Sequence, residues 1–482
     1  MLDLRPVGYV IGLSLVALGV TMLMPLLVDI AEGRDHWDVF AQSAILTVLI
    51  GGLVSLSCKN GVREGLTLQQ TFLLTTGVWV VLPVFGALPF MLGETQSDFT
   101  DAIFEAMSGL TTTGSTVLSD LDNLPKGILL WRGILQWLGG VGIVVVAMVF
   151  LPELRVGGMQ IFRSEGFDTF GKILPRATEI ASHISVIYLG LTLTCVLAYI
   201  MSGMNAFDAT VHAMTTVATG GFANYDASFG AFGMASEYVA VGFMMLAALP
   251  FVRFVQMTAG TIQPLLEDRQ IRAFFGTLAV IVSILTLWQV WQAGDWSELA
   301  FRKVLFNTVS IVTGTGYASA DYMLWGSFPV AVFFFAGLIG GCAGSTACSV
   351  KIFRYQLLFA SIKVQLKRIY SPHGVFTPRY QGRAIGDDVL NSVMAFFVFF
   401  ILSLGVLSVL LGLTGLDFIT SVSGAAAALA NIGPGLGDVI GPAGNFEPLN
   451  TAAKWMLTAG MLVGRLELLV VYAMFTIGFW RA

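Results

Sequence analysis

Charge is scarce in this chain: Asp, Glu, Lys and Arg together make up 11% of 482 residues, against 56% hydrophobic ones. A soluble globular domain carries about 25% charged residues, so that class is excluded. Cysteine is scarce too. Cys58, Cys195, Cys342 and Cys348 form no C-x-x-C pair, and the four histidines are spread along the chain. Redox pairs and Cys/His metal clusters are therefore not indicated. Absent as well are the phosphate loop, the G-x-S-x-G elbow and the H-E-x-x-H pair, and no cluster of carboxylates falls outside a loop or a mouth, so no enzyme is expected. Gly139-Gly140 lies within an apolar run and reads as close helix packing, not phosphate binding. The net charge of −5 is small for this length, and no nucleic-acid partner is expected.

What the chain has in abundance is long apolar sequence. Runs fall at about 7–28, 38–57, 69–92, 127–151, 183–203, 235–258, 273–293, 327–347, 389–412 and 452–480, ten in all, and each is long enough to cross about 30 Å of hydrocarbon. The first lacks a small-residue cleavage site and reads as a retained helix. The chain is thus an all-α polytopic membrane protein embedded in a lipid bilayer. An even number of spans puts both termini on one side. Loops on that side carry fifteen Lys and Arg, from Lys59 and Arg63 to the basic stretch 351–383, against six on the other. The positive-inside rule places both termini in the cytoplasm.

Beyond the first two helices a pattern repeats four times at a period near one hundred residues: a long span, an outer segment, another long span. The outer segments contain 99–110, 206–218, 299–312 and 418–430, too apolar for ordinary loops and too short to cross twice. Half-helices that dip in and return by an extended stretch fit both facts. The extended stretches are 110–116, 217–222, 312–317 and 430–435, with glycine at each turn: Gly114, Gly220, Gly316 and Gly433. The third holds Gly314 as well, and spacing to the next acid selects Gly316. Irregular backbone at membrane depth is tolerated only where it is buried or lines water, so the four loops must converge. Glycine lets successive carbonyls turn inward and replace an ion's hydration shell, and Thr113, Thr219 and Thr315 add hydroxyls. Potassium, whose hydration shell is comparatively cheap to strip, suits such a site. The half-helices also aim their negative ends at the cavity. Acids follow at Asp120, Asp226, Asp321 and Asp438, either as an external acidic mouth that concentrates cations or as ordinary turn and cap residues.

Arg465 falls within the last apolar run. An arginine at bilayer depth costs about 3 kcal/mol or more, so it faces a polar cavity or a partner. It is either a residue of the conduction path or one half of a bracing ion pair, with Glu467 the nearest candidate.

The motifs Gln-Trp-Leu-Gly-Gly-Val-Gly-Ile (136–143), Thr-Thr-Thr-Gly-Ser-Thr (111–116), Ala-Thr-Gly-Gly-Phe (218–222), Gly-Gly-Cys-Ala-Gly-Ser-Thr (340–346), Asn-Ile-Gly-Pro-Gly-Leu-Gly (431–437) and Gly-Arg-Leu-Glu (464–467) resemble the Trk, Ktr and HKT potassium-uptake superfamily. The likeness spans nearly the whole chain and is nearest to its TrkH/TrkG branch, which shares the two extra N-terminal helices. It implies four M1-P-M2 repeats with re-entrant pore loops around one pore. The segments are then 1–62 (the extra helices), 63–160, 161–262, 263–372 with an intramembrane loop at 340–349, and 373–482. It also implies a homodimer in the bacterial inner membrane and a cytoplasmic, nucleotide-binding TrkA-type ring as partner; the basic stretch 351–383, longer than a connector needs, is either ordinary positive-inside sequence or the contact for that ring. By resemblance the K+ filter maps onto Thr112, Thr113 and Gly114; Ala218, Thr219 and Gly220; Gly314, Thr315 and Gly316; and Asn431, Ile432 and Gly433. The gate maps onto Arg465 below the filter and onto Gly340, Gly341, Gly344, Ser345 and Thr346. One departure is that Ala347, Cys348 and Ser349 stand where further glycines are common, which puts the loop's flexibility in question. The only cofactor expected is K+ as the permeating ion. A proton- or sodium-coupled symporter is the alternative; its deep candidates are Arg465, Glu467, Asp101, Glu105, Asp208 and Asp417, and arginine does not titrate at physiological pH.

Overall fold

The computed structural model describes residues 2–61, 66–149, 158–159 and 177–481. Arg63, Arg155, Arg163, Lys172 and Arg176, and the segment boundaries expected at 62 and 160, lie outside the described residues. Helix α1 (Arg5–Thr21) runs on through Met22 into α2 (Leu23–Ala31), and α3 (Trp37–Cys58) folds back against them. Small residues allow the close approach: a Cβ on Gly12 would lie 2.7 Å from the Gly51 carbonyl oxygen, so the backbones nearly touch. Buried Asp29 ties the pair to the rest, meeting His36 Nδ1 at 2.8 Å and accepting from the Gly127 N–H at 2.8 Å.

Four repeats follow. The first comprises α4 (Leu68–Gly86), α5 (Leu88–Leu92), α6 (Phe99–Leu110) and α7 (Lys126–Val149). The second comprises α8 (Ala177–Met201), α9 (Ala206–Val217), α10 (Met234–Ala247) and α11 (Phe251–Thr258). The third comprises α12 (Gln263–Glu267), α13 (Arg269–Ala293), α14 (Glu298–Thr313) and α15 (Ser327–Gly337). After α16 (Ile352–Tyr370) and a hairpin of β1 (Arg379–Tyr380) with β2 (Arg383–Ala384) comes the fourth: α17 (Asp387–Leu413), α18 (Phe418–Ala430), α19 (Thr451–Arg465), α20 (Leu469–Met474) and α21 (Ile477–Arg481).

The half-helices α6, α9, α14 and α18 start alike. A side-chain oxygen of Asp98, Asn205, Ser297 or Asp417 accepts an N–H of the first turn, the usual N-cap. Twelve residues of α6 rise only about 18 Å, too little to cross. These elements form the centre: Ala102 to Leu110 are all buried, whereas the apolar window of α17 is only 22% buried and faces outward.

Among the described residues seven helices are long and apolar enough to cross a membrane, where ten runs suggested ten spans. The difference lies in three second spans. The run at 235–258 bends by 89° between α10 and α11. The run at 327–347 stops at Gly337, and the run at 452–480 breaks after Arg465. The breaks are satisfied internally, as irregular backbone inside a membrane protein requires. The freed Ala248 carbonyl accepts from the Cys342 N–H at 3.0 Å, and the Ala247 carbonyl from the Thr346 N–H at 3.3 Å and hydroxyl at 3.0 Å.

Candidate functional site

Each half-helix ends in the same turn. Thr112, Thr219, Gly314 and Asn431 are left-handed, with φ of 51°, 51°, 74° and 51°. Their N–H groups donate to the carbonyls three residues back, those of Gly109, Thr216, Ile311 and Ala428. Two residues on, Gly114, Gly221 and Gly316 are left-handed again, with φ of 84°, 77° and 81°, a conformation that resists any Cβ. The fourth loop has Gly433 there, without a positive φ.

This register departs from the sequence expectation at one place. Gly220 occupies the position of Thr113 and Ile432: the N–H groups of all three donate five residues back, to Ser108, Thr215 and Ala427, at 2.8 to 2.9 Å. Gly221, not Gly220, is therefore the counterpart of Gly114 and Gly316. A Gly-Gly pair offers two candidates, and the exact helix end that decides between them is not readable in sequence.

The loops meet. A Cβ on Gly114 would strike the Gly220 carbonyl oxygen; one on Gly221, the Thr315 carbonyl oxygen; one on Gly316, the Gly433 nitrogen at 2.7 Å; and one on Gly433, the Gly114 carbonyl oxygen at 3.0 Å. Cross-ties hold them: Ser115 Oγ donates to the Gly433 carbonyl at 2.7 Å, Gln136 Nε2 to the Gly220 carbonyl at 2.7 Å, and Asn431 Nδ2 to Thr113 Oγ1 at 2.9 Å. Among the described residues no hydrogen bond ends on the carbonyls of Thr112, Thr113, Gly114, Thr315 or Gly316. Those oxygens are left for another partner. Thr113 and Thr315 share their hydroxyls with Thr111 and Thr313 at 2.7 and 2.8 Å, while the Thr219 hydroxyl turns back to the Ala218 carbonyl at 2.7 Å.

All four turn glycines, Gly114, Gly221, Gly316 and Gly433, line one cavity of about 500 Å³. Of the four acids, Asp226 and Asp438 line it too. Asp120 instead accepts from Asn123 Nδ2 at 2.7 Å, and Asp321 accepts from the Met323 N–H at 3.0 Å at the start of a short 3-10 turn. Those two serve as turn residues. Tyr225, also on the cavity wall, donates to Asp208 at 2.7 Å. Burial and that carboxylate push its hydroxyl up to about 12.

On the opposite side of the loops lies segment 338–351. Gly340 N–H donates to the Val350 carbonyl at 2.9 Å and Ser349 N–H to the Ala430 carbonyl at 2.9 Å. Phe251 N–H donates to the Gly344 carbonyl at 2.9 Å, so the α10–α11 elbow grips the segment. Ser345 bonds internally to the Cys342 carbonyl at 2.7 Å, and Gly341 is packed against Ala347 and Ala248. Ser349 Oγ reaches the Gly337 carbonyl at 2.6 Å. Cys348 Sγ stands 3.6 Å from Thr112 Oγ1.

The apolar run that holds Arg465 is not one continuous helix. Arg465 is the last residue of α19, followed by left-handed Glu467 and Leu468. It is 5% exposed. Its Nη1 lies 2.9 Å from Cys348 Sγ, its Nη2 3.4 Å from the Gly139 carbonyl, and its guanidinium 5.7 Å from the Trp79 ring centroid. Nε has no partner. The alternative pairing with Glu467 does not occur: Glu467 pairs with Arg354, which sits 3.8 Å over the Phe396 ring.

A family model described as TrkH, cation transport protein, matches residues 36–479. The chain belongs to the TrkH family. It is 44% identical to the Trk system potassium uptake protein TrkI of Halomonas elongata, over 99% of this chain and 97% of that one. It is 36% identical to the Trk system potassium uptake protein TrkH of Escherichia coli K12, over 99% of each. The crystal structure of the potassium transporter TrkH from Vibrio parahaemolyticus superposes with a TM-score of 0.91 at 34% identity, over 100% of both chains.

In this TrkH-family chain one set of residues escaped the sequence reading. Three residues past each turn glycine, a backbone N–H is caught by a side chain from the half-helix behind it. Val117 donates to Glu105 at 3.0 Å, Asn224 to His212 Nε2 at 3.4 Å, Ser319 to Asn307 Oδ1 at 3.2 Å and Leu436 to Ser423 Oγ at 2.9 Å. All four acceptors are buried. Four different side chains make the same brace, which hides the repeat from any motif. The available signal was a polar residue inside each apolar half-helix. Glu105 adds a buried ion pair with Arg132 at 2.8 Å, and Arg132 reaches on to the Ala223 carbonyl at 2.8 Å, joining repeats one and two.

Proposed function

We propose that the four loops are a selectivity filter through which the chain carries potassium inward across the plasma membrane, with both termini in the cytoplasm. The observation that carries this reading is the ring in which the four loops meet around one cavity, three of them turned by left-handed glycines, with carbonyls of the first and third loops that accept no hydrogen bond among the described residues. Such oxygens replace the first hydration shell of a potassium ion, and the half-helix C-termini favour a cation behind them. Asp226 and Asp438 raise the local cation concentration at the mouth. The relatives named as potassium uptake proteins point to the same ion. Arg465, below the filter and held by the 338–351 segment through Cys348, repels a permeating cation and acts as the gate together with that segment. A homodimer and a cytoplasmic nucleotide-binding ring, docking on the basic stretch 351–383, complete the system.

None of the deep acids considered for coupling to protons or sodium stands unpaired among the described residues, Glu467 being held by Arg354. Asp101 pairs with Lys454 at 2.6 Å, Glu105 with Arg132, Asp208 with Asn224 and Tyr225, and Asp417 caps α18. Flux of potassium into liposomes holding the full chain, with and without a sodium or proton gradient, tests the proposal. Potassium entry that exceeds sodium entry and ignores both gradients is expected; entry that requires either gradient would replace the channel with a symporter.

A further inference from the structure

A second cavity, of about 350 Å³, lies away from the loops, between α1, α4 and α7. Its rim includes Val10 and Ala17 of α1, both exposed, and its floor is formed by buried Trp79, Leu110 and Gly139. The rim continues into the outward apolar surface of the same helices, where Leu13 is 46% and Val80 44% exposed. In a membrane protein that surface is already the interface with lipid tails, so the mouth opens onto hydrocarbon. Water has little to hold it inside: the Ser14 and Thr21 hydroxyls turn back to their own helix carbonyls at 2.9 and 2.7 Å, and the Gly139 carbonyl faces Arg465. Among the described residues the Thr75 hydroxyl and the Trp79 indole N–H are the side-chain polar groups of the lining without a hydrogen-bond partner, too few for a space of this size when each water needs roughly two to four partners, so the cavity stays dry or takes an apolar ligand.

We propose that this cavity is a binding site for one acyl chain of a membrane phospholipid. The site reaches the wall of the ion path, because Trp79 and Gly139 on its floor are the same groups that contact the Arg465 guanidinium, and Leu110 is the last residue of the first half-helix. A bound tail therefore packs directly behind the arginine, and membrane composition acts on it there.

The test uses the full chain in bilayers containing a phospholipid with a photoactivatable diazirine on its acyl chain. Two variants block the cavity from different walls. Gly142→Leu fills it without a backbone clash, since a Cβ there meets only the Trp79 ring at 3.8 Å, and Ala17→Trp closes the rim. Label is expected on peptides covering 74–82 and 138–146 in the unmodified protein and is lost in both variants, while label on the lipid-facing span 387–413 is unchanged. Should Gly142→Leu also alter the label on 387–413, its fold is disturbed and Ala17→Trp decides. Label that persists at 74–82 and 138–146 in Ala17→Trp, or no label there in the unmodified protein, would overturn the site.

Discussion

The two sides of the glycine loops are built to opposite rules. Toward the 500 Å³ cavity the four repeats agree almost residue for residue: same cap, same left-handed exit, same brace three residues past the glycine. Behind the loops the four second spans share nothing. The helix α7 is continuous, α10–α11 is folded by 89°, α15 ends at Gly337, and α19 stops at Arg465. If the loops are the filter proposed above, coordinating a spherical ion from all sides needs equivalent oxygens, and the agreement follows from that. A device with two states needs parts that differ, and the interrupted helices are packed on one another at the 338–351 segment and Arg465.

The largest effect is expected from breaking the irregular side. A fixed charge about 4 Å from a permeating cation, at an effective dielectric near 20, repels it by about 4 kcal/mol, enough to slow passage roughly a thousandfold. Arg465→Ala should raise basal potassium flux in liposomes by up to that factor, and Arg465→Lys should keep most of the block. If a folded Arg465→Ala protein conducts no faster than wild type, the arginine only braces the break in α19.

Breaking the regular side should change selectivity, not rate of opening. A Cβ at Gly221 meets the Thr315 carbonyl and is strained at φ 77°, whereas at Gly220 it meets only the side chain of Gln136. A strain of about 1.4 kcal/mol on the coordinating geometry corresponds to about tenfold, so Gly221→Ala should lose on the order of tenfold in potassium over sodium preference and Gly220→Ala clearly less. Reversal potentials under mixed gradients measure both. The opposite ranking would restore Gly220 as the filter glycine.

Much of this contrast was legible in the sequence, and unevenly so. The repeated apolar runs and glycine turns disclosed the half-helices, because a short apolar segment and the glycine that follows it, as at Gly114 and Gly316, each leave a local mark. The departures came from interactions distant in sequence. Nothing near Ala247 or Ala248 announces that their carbonyls will be taken by Cys342 and Thr346, which is what permits the 89° fold. Nothing near Glu467 announces Arg354, more than one hundred residues earlier. Hydrophobicity alone counts such broken segments as spans, since the break removes helix but not apolar side chains. The resemblance supplied an interruption at 340–349 and a role for Arg465, but not Cys348 as the arginine's neighbour.

The smallest predicted effect probes the brace itself, at the one repeat where it rests on a single hydroxyl. Ser423→Ala deletes the acceptor of the Leu436 N–H and leaves that amide unpaired next to a buried half-helix, a cost of about 1 to 3 kcal/mol. The fold should survive, because α18 keeps its Asp417 cap and its packing on α17 and α19. What loosens is the rising limb of the fourth loop, and with it Gly433, whose carbonyl is held by Ser115 on the neighbouring loop. Potassium over sodium preference should therefore fall by severalfold, less than in Gly221→Ala, with a lower Tm in detergent. Glu105→Gln gives the sharper contrast at the equivalent place, since it also leaves buried Arg132 without its counter-charge, worth about 3 to 5 kcal/mol. If Ser423→Ala shifts neither selectivity nor Tm, the fourfold brace is a packing coincidence and the symmetry of the loops must be held by the cross-ties from Gln136, Ser115 and Asn431 alone.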